Sequence, residues 1–133
     1  MTKVESLVNL SEYPINEPQC AQFNEVVQFV QSELDKDGCS VLSKFLTNKG
    51  LELIAQEVEQ RKDKAFYSES KLCNVYLAKG NPKESQGHPQ NIFMERTNGF
   101  ITADLLNEGT LSHLLYHWKP LRSFLAQCLS KKE

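Results

Sequence analysis

Apolar residues along this chain recur at two spacings, and the change of spacing marks its parts. Between Gln19 and Asp35, Phe23, Val26, Val27, Val30 and Leu34 fall at steps of three and four, which puts them on one face of a helix. Gly38 is placed to stop that helix, because glycine enters the left-handed conformation without a Cβ penalty. The spacing predicts a second helix over 48–64, capped by Thr47, with Leu51, Ile54, Ala55 and Val58 as its buried stripe. Glu52, Glu59, Lys62 and Asp63 form its solvated side. Two more helices are expected over 111–118 and 121–129, the first capped by Thr110 or Ser112, the second opened by Pro120.

Elsewhere the period shortens. Residues 39–42 and 72–78 read as strands, the latter with Val75 and Leu77 on one side. The run KGNPKESQGH over 79–88 is a polar loop rich in turn formers. HPQNIFMERTNGFITADLL, residues 88–106, continues as one or two strands broken at Asn98-Gly99, a dipeptide that favours a hairpin or bulge. Pro14 and Pro18 keep the first 18 residues out of a helix. Leu7, Val8, Leu10, Tyr13 and Ile15 suggest an extended arm that packs down. The expected fold is α+β, amphipathic helices packed on a small, mostly antiparallel sheet. We expect a single domain over 1–133, with the arm over 1–18 and a helix/sheet layer over 19–133. So few strands need further strands or helices to cover them, and the sequence reads like half of a larger fold.

Composition narrows the class. At 133 residues, 40% hydrophobic and 24% charged, the chain has room for one core and is not of disordered type. A net charge of −2, with no basic block beyond Lys131-Lys132, argues against a nucleic-acid partner. No apolar run approaches the ~20 residues of a membrane helix, and the first residues lack the apolar core of a signal peptide. A cytoplasmic location is the expectation. Cys20, Cys39, Cys73 and Cys128 form no close pair, so each is expected as a small buried residue in a reducing compartment rather than a zinc ligand.

Candidate chemistry is sparse. His113 and His117 lie four apart and would share a helix face, as a metal pair does. The zinc-protease pattern needs Glu after the first His, though, and Leu114 stands there, so LSHLLYHWKPL reads as a packing helix. His88, before Pro89, is either a ligand-facing group or a loop histidine bonded to backbone. Glu95 and Arg96 point to opposite faces of a strand, so only one can face a pocket. Arg96 suits a carboxylate because its planar fork engages two oxygens; the plainer reading is an ion pair at a sheet edge. No GxSxG elbow, phosphate-binding glycine loop or cysteine in a catalytic setting occurs, so no catalytic residue is assigned.

The ordered segments LVNLSEYPI, DGCSVLSKFLTNKGLELIAQEVE, LCNVYLAKGNP, HPQNIFMERTNGFITADLL and LSHLLYHWKPLRSFLAQCLS resemble the N-terminal half of iron(II)/2-oxoglutarate-dependent oxygenases that include amino-acid hydroxylases and halogenases. The resemblance spans nearly the whole chain. It implies a fold completed by a double-stranded β-helix that carries His-x-Asp or His-x-Gly, a distal His and the 2-oxoglutarate site. None of His88, His113 and His117 starts such a triplet, so the resemblance implies no metal ligand here and a chain inactive alone. Fe(II) and 2-oxoglutarate belong to the complete enzyme. In this family the N-terminal half covers the mouth of the barrel, which makes Arg96, His88, Asn91 and Asn98 the implied contacts to a substrate that the resemblance implies to be an amino acid. The implied partner is the C-terminal half. The alternative is a non-catalytic interaction domain that self-associates as a homodimer and covers its sheet edge.

Overall fold

The computed structural model of the chain describes residues 4–67 and 72–131; the first three residues of the expected arm, Lys132 and Glu133 lie outside them. The chain divides into two compact units, Met1–Gln60 with Leu106–Glu133, and Arg61–Leu105.

Helices dominate the first unit. α1, Ala21–Asp37, starts where the Cys20 sulfur accepts from the Phe23 amide. It ends at Gly38, whose φ of +71° and N–H to the Leu34 carbonyl make the expected left-handed cap. Its apolar face buries Phe23, Val27 and Val30. α4, Lys119–Cys128, buries Phe124 and Cys128 and packs against α1. The Phe23 and Phe124 rings meet nearly edge to face, 5.9 Å apart at 75°, a geometry aromatic quadrupoles favour.

α2, Asn48–Glu59, is capped by Thr47, whose Oγ1 accepts from the Gly50 amide at 2.9 Å. The same hydroxyl donates to the Ser6 carbonyl at 3.0 Å, tying the cap to the arm. A Cβ on Gly50 would come within 2.5 Å of the Leu7 carbonyl, so only glycine admits this approach. The arm is therefore pinned rather than extended: a 3-10 turn over Val4–Leu7 is followed by further turns, with Leu7, Val8, Tyr13 and Ile15 buried. The Tyr13 hydroxyl donates to the Ser43 carbonyl at 2.7 Å.

Several expected features shift. Residues 39–42 form no strand; the pairing nearby is a single bridge between Val8 and Leu46. α2 is rotated from its expected stripe, with Gly50 and Glu57 buried while Leu51, Ala55 and Val58 are exposed. Two polar and steric contacts choose that face: the arm against Gly50, and the Glu57 carboxylate. The latter accepts from the amides of Leu111 at 2.6 Å and Ser112 at 3.1 Å. Those amides open α3, Leu111–Tyr116, which Thr110 also caps. Orphan N–H groups at a helix start attract a carboxylate.

Among the described residues, strands are confined to the second unit and are short. β1, Phe66–Tyr67, pairs antiparallel with β4, Gly99–Phe100, setting Tyr67 opposite Gly99. β2, Leu72–Cys73, pairs antiparallel with β3, Met94–Glu95. Thus the described sheet is two separate antiparallel pairs, and the α+β class holds. The strand expected over 72–78 stops at Cys73, and Asn98-Gly99 closes no hairpin because its flanking strands join different pairs. Gly99 lies under the Tyr67 ring, which a Cβ there would meet at 2.7 Å and push aside. Among the described residues no helix is long and apolar enough to cross a membrane.

Candidate functional site

The second unit is organised by asparagines. Asn74 is 2% exposed, although it directly follows the apolar strand β2. Its Oδ1 accepts from the amides of Tyr76 at 3.1 Å and Ala78 at 3.2 Å. Its Nδ2 donates to the carbonyls of Ala78 at 2.9 Å and Gln90 at 2.6 Å. These bonds curl 74–78 into a turn, with Leu77 at φ +50°, where a strand was expected. Asparagine side chains compete with strand pairing in this way by binding nearby backbone.

Asn91 fastens the following loop. Its Oδ1 accepts from the Asn81 amide at 2.7 Å, and its Nδ2 donates to the carbonyls of Asn81, Glu84 and Ser85 at 2.9, 3.2 and 2.9 Å. His88 accepts from the Gln90 amide through Nδ1 at 3.2 Å, the backbone bond expected of a loop histidine, and stacks on Tyr76.

Held by these ties, the segments 72–80 and 93–96 enclose an open cavity of about 690 Å³. Leu72, Leu77 and Phe93 supply apolar wall, while Lys79 and Arg96 supply positive charge. The Arg96 Nε is buried and has no hydrogen-bond partner. A buried donor without a partner costs about 1–3 kcal/mol, and more when charged. Arg96 directly follows β3, so the β2–β3 pairing fixes its position. The arrangement can receive an anion at the guanidinium and an apolar group against Phe93.

Of the four residues named from the sequence, Arg96 lines this cavity and His88, Asn91 and Asn98 do not. Asn91 and His88 shape the loop behind it, and Asn98 is exposed on the link between β3 and β4. Lys79 and Asn74 escaped the sequence reading. The available signal was an Asn inside an otherwise strand-like LCNVYLA, a residue that strands disfavour.

His113 and His117 do come together, their rings 4.3 Å apart, and His113 Nδ1 lies 3.2 Å from the Leu106 carbonyl. No carboxylate or third imidazole joins them: among the described residues, no group of three or more His, Cys, Asp or Glu side chains could hold a metal ion. The described residues therefore do not fit an iron held by two His and one carboxylate, and no chemical step is routed through iron here. The cysteines divide. Burial pushes the Cys128 thiol up to about 11, whereas Cys39 is exposed, contrary to the expectation that each cysteine is buried. No family model, curated protein or solved structure significantly matches this chain, so its own residues must carry the functional reading.

Proposed function

We propose that this chain is the N-terminal portion of a non-haem iron(II)/2-oxoglutarate-dependent oxygenase, a hydroxylase or halogenase, to which it contributes helical support and part of the substrate wall. Alone it does not turn over; the iron and 2-oxoglutarate sites belong to the β-helix that the resemblance implies. The observation that carries the reading is the state of the second unit. Its two-residue strands leave Phe66, Tyr67, Leu72, Phe93, Met94 and Phe100 between 43% and 62% exposed, beside a cavity lined by an unpartnered arginine. Two-stranded pairs are marginal by themselves and gain stability from added strands.

The coding sequence downstream of Glu133 is the first test. A His-x-Asp or His-x-Gly triplet is expected within ~50 residues, the length of a few strands and turns, and its absence overturns the reading. Titrating the chain with Fe(II) and 2-oxoglutarate while following Trp118 fluorescence should give no saturable change.

The same exposed strands favour a second reading, a non-catalytic domain that covers them by self-association. A sharp dimeric mass with no downstream triplet supports that alternative. A monomer that dimerises only when the β-helix half is absent supports the first.

A further inference from the structure

We infer that the cavity beside β2 and β3 binds a small carboxylic acid with an apolar body and no amino group next to the carboxylate. This deepens the substrate-wall reading and rests on it for the cavity's role, though not for its chemistry.

The charge on the wall is one-sided. Lys79 and Arg96 line the cavity and no acidic side chain among the described lining residues does. Arg96 lines the cavity and its Nε makes no hydrogen bond to the protein, so an oxyanion received at the guanidinium breaks no protein contact at that N–H. A guanidinium engages the two oxygens of a carboxylate through parallel N–H groups, which a neutral hydroxyl cannot reproduce. The remaining wall, with Leu72, Leu77 and Phe93, suits an aliphatic or aromatic body. An α-amino acid fits less well. Its ammonium sits one carbon from the carboxylate and would face two cations with no acidic side chain on this wall to receive it.

The geometry also explains why the site can be selective. The Asn74 and Asn91 bonds hold the wall segments before any ligand arrives, so little loop ordering is needed on binding.

The test is an amide-resolved NMR titration of the full 133-residue chain with phenylacetate, phenethyl alcohol and L-phenylalanine. Phenylacetate is expected to give saturable shifts at residues 72–80 and 93–96. Phenethyl alcohol, which lacks the charge, should bind about tenfold more weakly or worse, the loss expected for a charge-assisted hydrogen bond. L-Phenylalanine should also bind more weakly than phenylacetate. Arg96→Gln should cost phenylacetate about tenfold in affinity or more, and Lys79→Gln about threefold or less, as for an exposed charge.

Equal binding of acid and alcohol, tighter binding of L-phenylalanine, or shifts confined to other residues overturns the inference. The ligand series uses the unaltered chain, so it decides the question even where Arg96→Gln does not fold. Acid binding without a downstream iron triplet upholds the site and rejects the oxygenase. A triplet without acid binding does the reverse.

Discussion

Phe23 and Phe124 are each 1% exposed and face each other inside the helical unit, whereas Phe66, Phe93 and Phe100 of the strand unit are 61%, 43% and 50% exposed. The contrast extends to the buried apolar positions. Apolar residues from the arm, α1 and α4 make the core of the first unit. In the described part of the second unit, the one buried residue is polar Asn74. One unit is held by burial, the other by hydrogen bonds to backbone. The helical unit gathers part of its apolar surface into a core, although Phe29 and Tyr116 stay exposed, whereas the described part of the strand unit has no buried apolar residue. The candidate site lies in the second unit because Arg96 and Lys79 come together there on one cavity wall.

The largest expected effect breaks the helical side of the comparison. Phe124→Ala removes the partner of Phe23 and leaves a cavity, and should cost about 3–5 kcal/mol in urea unfolding followed by helical circular dichroism. A loss below about 1 kcal/mol, the range of a surface substitution, would show that the core does not rest on this ring pair. Next comes Asn74→Ala, which strands two amides and two carbonyls. About 2 kcal/mol of local stability should go, read as roughly thirtyfold faster hydrogen exchange at the Tyr76 and Ala78 amides. Unchanged exchange there would mean that the turn holds without its asparagine.

The two units were also unequally legible. The chain wrote α1 clearly, because its helical spacing, its Gly38 stop and its burial all agree. Thr47, Thr110 and Pro120 marked helix starts for the same reason: capping is a local contest that neighbours do not reverse. α2 was misread in its facing, since Leu51 and Val58 promise a stripe that contacts from residues far along the chain override. Over 72–78 and 88–106 the apolar and β-branched content predicted strands, but Asn74 curls the first into a turn and Asn91 ties the start of the second to the loop before it. The alternation of side chains records no such diversion. Arg96 was found because its chemistry is distinctive, while Lys79 became visible only once the turn brought it to the same cavity.

A smaller effect tests a polar element inside the apolar unit. Glu57→Gln keeps the shape but removes the charge that meets the Leu111 and Ser112 amides. About 1 kcal/mol should be lost, as for an acidic group at a helix start, with the urea midpoint as the measure. A neutral result would assign the start of α3 to Thr110 alone.

The finest test uses burial itself as the variable. The Cys128 thiol is 4% exposed, and burial raises its folded pKa from 9.0 to about 11. Between those values the unfolded chain has released the proton and the folded chain still holds it, so unfolding releases a proton. Stability from this group is therefore complete below pH 9 and falls as pH rises toward 11. Tyr13 adds to the fall at the upper end, because burial and then the neighbouring Glu12 raise its phenol above 10.0. Cys128→Ala should lower stability by a constant amount at neutral pH and flatten the decline from pH 9 to 10, leaving the Tyr13 component above it. Parallel curves for the two proteins across that window would mean that the thiol ionises as freely folded as unfolded, and that the helical core is wetter at α4 than its packing implies.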